Sequence, residues 1–196
     1  GTGVNVNTQF SFSDTGIQAR ITTNNPNFKN TDRSLSTSVQ SSKTDQMSRF
    51  GYKTSKTGFS IGTNFEQYED IYFSPSFSNY FESLKTSATA SDAKKKQKGD
   101  YFDSNFNYAL TLNKLNQNFQ PTAGFRSTFS QTLPIYSDDY SIENRYDFAK
   151  FFSPNDNAIL SFRFLAHSIN SLAGDDVRVS KRLYIPSKRL KGFEFG

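Results

Sequence analysis

The 196-residue sequence contains no cysteine and a single histidine, His167. Without cysteine, the chain has no disulfide, no thiolate nucleophile and no cysteine-ligated metal. His167 has no partner residues at metal-ligand spacing, and no nucleophile or cofactor motif accompanies it. No stretch approaches the roughly 18 consecutive apolar residues of a membrane-spanning helix. These absences favour a protein that is not an enzyme, that needs no metal or other cofactor, and that does not cross a membrane with helices.

Aliphatic residues are also scarce. Only 34% of the residues are hydrophobic, and the mean hydropathy is −0.67. Disordered chains share low hydropathy but are poor in aromatic residues, whereas this one has 21 Phe and 10 Tyr. A sheet with one apolar face and one wet face explains both properties. A membrane-spanning strand needs only about 9–11 residues, half of them apolar, so such a chain can still cross a bilayer.

The net charge of +5 is mostly local. Four lysines lie between positions 94 and 98, and five lysines or arginines lie between 181 and 191. The first cluster is best interpreted as a solvated loop. Because the charges are not spread along a surface with interleaved aromatic residues, nucleic acid is not an expected partner.

Alternation with a period of two recurs along the chain and predicts nine strands. In the first segment, Val6, Phe10 and Phe12 fall on one face, and Asn7, Gln9 and Ser11 fall on the other. A tight turn follows at 14–16, and the second strand ends at Asn25-Pro26. The connections differ in length, as in outer-membrane barrels, where turns are short at one end and loops are long at the other.

Three segments depart from this simple pattern. The fourth strand, around 51–63, is weak because Lys53 and Lys56 blur its phase. Pro75 in the middle of the fifth strand predicts a bulge, since proline cannot donate to the ladder. The stretch 83–100 has no periodicity and predicts a long exposed loop.

Charged residues occupy the polar face of the last two strands. Burial of such charges in an apolar core would cost several kcal/mol for each unpaired group, and a water-filled lumen removes that cost. A sheet that spans a membrane must close, yet nine is an odd number of strands. The sequence therefore predicts an all-β, antiparallel transmembrane β-barrel that is only partly present. The predicted lumen-facing charges are Glu143, Arg145, Asp147 and Arg163.

Two motifs resemble the BamA or bacterial surface antigen superfamily. The segment 113–126 resembles the family's hairpin signature, an N-K-L-D start followed by P-T-x-G-x-R, with Asn116 in place of the usual Asp. The segment 181–194 resembles the sixth outer loop, which in that family folds into the lumen and carries R-G-F; here the tripeptide is Lys191-Gly192-Phe193. Asn25-Pro26 resembles a periplasmic turn. The hairpin residues are Asn113, Lys114, Leu115, Pro121, Thr122, Gly124 and Arg126.

The resemblance spans nearly the whole chain and carries further expectations. Residues 1–196 would form strands three to eleven of a sixteen-stranded barrel plus the start of the sixth loop, without the periplasmic domains, the first two strands or the last five. The protein would be integral to the bacterial outer membrane. It would act as a non-enzymatic scaffold that pairs with the strands of unfolded outer-membrane proteins, together with outer-membrane lipid and accessory assembly lipoproteins.

Other functions remain open at this point. A two-partner secretion pore has a barrel of the same superfamily, and the number of periplasmic domains would separate the two roles. A passive porin would lack both motifs. A soluble β-sandwich adhesin would not stay in a carbonate-washed membrane fraction.

Overall fold

The computed structural model describes residues 3–155, 157–174 and 176–183. These residues form a single antiparallel sheet in which every strand pairs with its neighbours in sequence. Within the described residues the sheet is open, because β1 and β9 each pair on one side only. The strands are β1 (Asn5–Ser13), β2 (Gly16–Asn25), β3 (Ser34–Gln46), β4 (Tyr52–Tyr68), β5 (Ile71–Thr86), β6 (Gly99–Asn113), β7 (Gly124–Ser137), β8 (Ser141–Asn155) and β9 (Ala158–Ser171).

The connections lie at two ends of the sheet. We call one the loop end; it carries the β1–β2, β3–β4, β5–β6 and β7–β8 connections and the segment after β9. The other, the hairpin end, carries the β2–β3, β4–β5, β6–β7 and β8–β9 connections. Single helical turns occur at Phe28–Asn30, α1 (Met47–Phe50) and α2 (Asp92–Lys95). Both ends mix short and long connections, so connection length alone does not distinguish them.

Strand register makes each face of the sheet continuous. On one face Thr8 pairs with Ile21, Ile21 with Val39, and Val39 with Phe59. One residue further along β1, Gln9 begins a polar row on the other face, through Arg20 and Gln40. Because side chains alternate along a strand, one consistent register separates an apolar face from a polar face across all nine strands. The predicted strand number and facing are confirmed.

The apolar face is uncovered. Phe10, Ile17 and Phe162 are 64%, 52% and 58% exposed. Among the described residues the buried hydrophobic side chains are only Tyr52, Leu84, Ala149 and Val179. A soluble sheet protein would bury its apolar face against a second layer, and this sheet has no such layer within the described residues.

The predicted bulge at Pro75 is wrong. Pro75 pairs with Tyr108 of β6 without any shift in register. On the other side, the β4–β5 ladder is interrupted at Thr63 and Asn64 and then resumes in the same register. Because Pro75 has no backbone N–H, pairing with β4 is lost locally, but no extra residue is inserted into the strand. Register shifts occur instead near Glu66, near Ser104 and between Phe152 and Asn155.

The predicted loop at 83–100 is too long. β5 continues to Thr86 and β6 begins at Gly99, which leaves 87–98 as the connection, with α2 inside it. Alternation fails there because Leu84, on the polar face, is only 1% exposed and packs with Tyr52 and Val179. β4 is likewise longer than predicted, and its Lys53 and Lys56 point to opposite faces.

Candidate functional site

The predicted lumen charges come together on the polar face of β8 and β9. His167 Nε2 lies 2.6 Å from Glu143 Oε1, and Arg145 Nη2 lies 3.4 Å from Asp147 Oδ2. Arg163 lies opposite Ala149 on the same face, with its guanidinium carbon 5.9 Å from the centre of the Phe151 ring. Glu143 pairs with His167 and Arg145 pairs with Asp147 in solvent-accessible positions. The role of these groups and of Arg163 as lumen charges stays a prediction.

The hairpin signature forms the β6–β7 connection, and the Asn116 side chain organises it. Asn116 Oδ1 accepts hydrogen bonds from the backbone N–H groups of Thr122 and Ala123, at 3.2 and 3.1 Å. Its Nδ2 donates to Thr122 Oγ1 at 2.7 Å. Asparagine therefore supplies the acceptor oxygen that an aspartate would offer at this position. Leu115 and Pro121 complete the same connection, which begins after Asn113.

Gly124 closes the hairpin against Lys114. Its φ is +95°, and a Cβ at this position would lie 2.0 Å from the Lys114 carbonyl oxygen. Lys114 Nζ donates to the Asp70 carboxylate in the neighbouring β4–β5 turn, and this hydrogen bond raises the pKa of the Lys114 ammonium above its ordinary value. Arg126, opposite Asn113 and Ala149, is exposed on the polar face. The signature thus joins two neighbouring turns at the hairpin end.

The tripeptide Lys191-Gly192-Phe193 lies outside the described residues, so its predicted packing into the lumen stays a prediction. The segment that precedes it, 176–183, is described. This segment returns from the end of β9 onto the polar face of β4 to β8 at the loop end. We call it the returning segment.

Arg178 anchors the returning segment. Its side chain is 1% exposed, and Nη2 donates to Asp103 Oδ2 on β6 at 2.7 Å. Glu82 on β5 lies 3.8 Å from Nη1, and Asp139 in the β7–β8 turn lies 3.4 Å from Nε. The guanidinium carbon also lies 4.0 Å from the centre of the Tyr101 ring. One arginine thus joins three elements of the sheet that are distant in sequence.

Two neighbours of Arg178 reinforce this contact. Lys181 Nζ donates to Asp103 Oδ1 at 3.0 Å and to the Asp139 carbonyl oxygen at 3.1 Å. The backbone N–H of Val179 donates to Gln97 Oε1 at 2.8 Å. The Val179 side chain, 2% exposed, completes a small apolar cluster with Tyr52 and Leu84.

The charges of this cluster balance. Three carboxylates, from Glu82, Asp103 and Asp139, face the cations of Arg178 and Lys181. Lys56 lies opposite Glu82 on the same face of β4 and adds a third cation. Burial of a charge is offset by a nearby opposite charge and by hydrogen bonds. The Arg178–Asp103 contact provides both, whereas Arg178 Nη1 and Nε lie near Glu82 and Asp139 without a hydrogen bond. The returning segment and the polar wall are therefore complementary.

Sequence reasoning missed this cluster because its partners are remote. Arg178 and Asp103 are 75 positions apart, and periodicity reports only on neighbours along a strand. The sequence does contain one indication of the cluster. Glu82 and Asp103 are acidic residues on the polar face of two adjacent strands, so basic residues from elsewhere in the chain are expected near them.

No described helix is long and apolar enough to cross a membrane. Likewise, the described residues contain no group of three or more His, Cys, Asp or Glu side chains that could hold a metal ion.

Among curated protein sequences, none matches the chain. Among solved structures, the chain is similar to the crystal structure of BamA from Haemophilus ducreyi lacking POTRA domains 1–3, with a TM-score of 0.79 and 16% sequence identity. The match covers 92% of this chain and 38% of that one, so this chain spans well under half the length of that structure.

The likeness identifies the fold as part of a BamA-type β-barrel, as the sequence predicts. In addition, a family model described as the Omp85 superfamily domain matches residues 1–196, the whole of the sequence. The chain belongs to the Omp85 superfamily.

Proposed function

We propose that this chain is the central part of a barrel that assembles and inserts other β-barrel proteins into the bacterial outer membrane. The observation that carries the proposal is the returning segment, held on a polar sheet face by the buried Arg178–Asp103 ion pair while the opposite face is apolar and exposed. An Omp85 barrel with a loop fixed inside it suits a scaffold better than an open pore.

The mechanism needs no bond-making chemistry. Unfolded outer-membrane proteins would pair their strands with an exposed strand edge of the complete barrel, a form of β-augmentation. The free energy would come from each client satisfying its own backbone hydrogen bonds in lipid, where an unpaired group costs several kcal/mol. The apolar face would contact lipid, and accessory assembly lipoproteins would act together with the complete protein.

The domain arrangement is part of the same proposal. The nine strands would be strands three to eleven of a sixteen-stranded barrel, and the returning segment would be the first part of its sixth outer loop. The match covers 38% of the BamA chain, as expected if this chain is one part of a longer protein. The loop end would then face the outside of the cell, and the hairpin end would face the periplasm.

The test is complementation with the full-length protein. In cells depleted of that protein, outer-membrane β-barrel proteins should fall in abundance, and the wild-type gene should restore them. The Arg178→Met variant should restore them incompletely, and Lys191→Ala should also weaken assembly. The His167→Ala variant should behave as wild type, because no catalytic base is required.

Two results would contradict this function. Depletion that leaves outer-membrane proteins at normal abundance, while one secreted partner accumulates in the periplasm, would assign the chain to the translocation branch of the superfamily. Complete loss of function in His167→Ala would indicate an enzyme.

A further inference from the structure

Three lysines break the apolar face at the loop end. These are Lys43 on β3, Lys53 on β4 and Lys85 on β5. All three are exposed and lie on the same face of the sheet as the apolar residues below them. Lys53 lies directly opposite Lys85, and Lys43 lies opposite Ser55, two residues from Lys53. The three side chains line one groove of about 590 Å³, together with the hydroxyl groups of Thr15, Ser55 and Ser83.

In the described part of the chain, the carboxylates of Asp14 and Asp45 line the same groove, which leaves three lysines against two acids, a net charge of +1. Like charges placed directly opposite each other on neighbouring strands destabilise a sheet, yet none of the three makes an ion pair there. Asp45 lies opposite Lys53, and its carboxylate also accepts the backbone N–H of Met47 at 2.9 Å. The groove therefore keeps an excess of positive charge, which favours an anion.

The position of the groove relative to the apolar band indicates which anion. On β5 the outward apolar residues run from Ile71 to Phe81. That length is about 34 Å along the strand and about 26 Å across the membrane at a tilt of about 40°. An outer-membrane barrel has an apolar band of about 25 Å. Lys85, four residues beyond Phe81, then lies about 10 Å above the hydrocarbon, at the level of the lipid headgroups.

We propose that Lys43, Lys53 and Lys85 bind the phosphate groups of a phosphorylated glycolipid, lipid A, in the outer leaflet. The acyl chains of this lipid would cover the apolar side chains directly below, Val39, Phe59 and Phe81, which are 57%, 49% and 53% exposed. The lysines lie on three adjacent strands, about 10 Å from first to last, which suits a headgroup with more than one phosphate. Lysine side chains can extend their ammonium groups toward the headgroup level.

The inference rests on the membrane orientation proposed above and is independent of client assembly. A soluble phosphate would meet the lysines equally well, but it would leave the apolar surface below them uncovered. A phosphorylated lipid would pair its phosphate groups with the three lysines and cover the apolar surface below them with its acyl chains.

The experiment measures lipid binding by the full-length protein in mild detergent, using native mass spectrometry. The probes are lipid A, phosphatidylglycerol, phosphatidylcholine and inorganic phosphate. The wild type should retain lipid A in preference to the other three. The triple variant Lys43→Gln/Lys53→Gln/Lys85→Gln should bind it on the order of 100-fold more weakly, since each basic residue near an anionic lipid surface contributes about a fivefold factor.

Two control variants define the site. Lys150→Gln removes another exposed lysine of the apolar face, on β8 toward the hairpin end, and should bind lipid A as wild type does. The triple Lys→Arg variant keeps the charges and should retain binding, which separates loss of the site from loss of folding.

Each possible result of the binding experiment either overturns or supports the lipid A site. Equal binding of lipid A by the wild type and the triple Gln variant would overturn it, as would equal retention of phosphatidylglycerol or binding of inorganic phosphate alone. A triple Gln variant that loses lipid A while outer-membrane proteins keep normal abundance would support the lipid site and leave the assembly function intact.

Discussion

Gly124 is the residue at which backbone conformation and packing both exclude a side chain. Its φ of +95° costs a non-glycine residue about 1–3 kcal/mol, and a Cβ would overlap the Lys114 carbonyl oxygen at 2.0 Å. We expect Gly124→Ala to lower the midpoint of urea unfolding, followed by heat-modifiable gel mobility. Gly99→Ala, where a Cβ meets nothing closer than 3.8 Å, is the matched control and should leave the midpoint unchanged. Equal midpoints for both variants would refute the assigned hairpin geometry.

Asn116 is the second residue whose role depends on individual hydrogen bonds. Asn116→Ala removes the acceptor of two backbone N–H groups and should cost about 1 kcal/mol in the free energy of unfolding. Asn116→Asp keeps the acceptor oxygen, and the Thr122 hydroxyl can then donate to it, so this variant should stay within about 0.5 kcal/mol of wild type. A larger loss for Asp than for Ala would contradict the hydrogen-bond assignment. The same urea unfolding assay measures both.

The position of the returning segment on the sheet depends on Arg178. Removal of one partner from a buried ion pair costs about 3–5 kcal/mol; here Glu82 and Asp139 would lose their ion-pair partner, and Asp103 would keep only Lys181. In Arg178→Met the segment should detach from the wall, and trypsin should cleave it at Lys181. Arg182→Met removes an arginine that is 42% exposed and 3.9 Å from Asp176, and surface pairs of this kind contribute at most about 1 kcal/mol. Cleavage at equal rates in both variants would show that Arg178 does not hold the segment.

The two faces of the sheet should differ in how well they tolerate a new charged side chain. Phe129 belongs to the apolar face and pairs with Leu110 and Tyr146. In Phe129→Arg the charge would lie near the middle of the band, at a cost of about 2–4 kcal/mol. Its neighbour Thr128 faces the other side, where its hydroxyl lies 3.1 Å from that of Thr111, so Thr128→Arg should be much milder. Refolding yield into lipid vesicles measures the difference, and equal yields would mean that the facing is wrong.

Much of the fold could be predicted because it depends on alternation along single strands. The number of strands, their facing and the turn at 14–16 follow from residues that lie within a few positions of each other. The failures have local causes as well. Pro75 forms a regular ladder with β6 and loses pairing only toward β4, and Leu84 is apolar on the polar face because the returning segment covers it.

The candidate site could be predicted only in part. The hairpin signature is a contiguous motif, so its residues were visible in the sequence, although the organising role of Asn116 was not. The Arg178 cluster joins β5, β6, the β7–β8 turn and the returning segment. No pattern within one strand encodes such a set.

The alternation of apolar and polar side chains, and with it a two-faced antiparallel sheet, follows from the order of the residues alone. Which polar groups meet depends on the folded chain: the register between strands brings Lys53 opposite Lys85, and the return of the chain after β9 brings Arg178 to Asp103. The physical reason is that alternation is a property of one extended backbone. Charge pairing, in contrast, depends on distances between segments that are far apart in sequence.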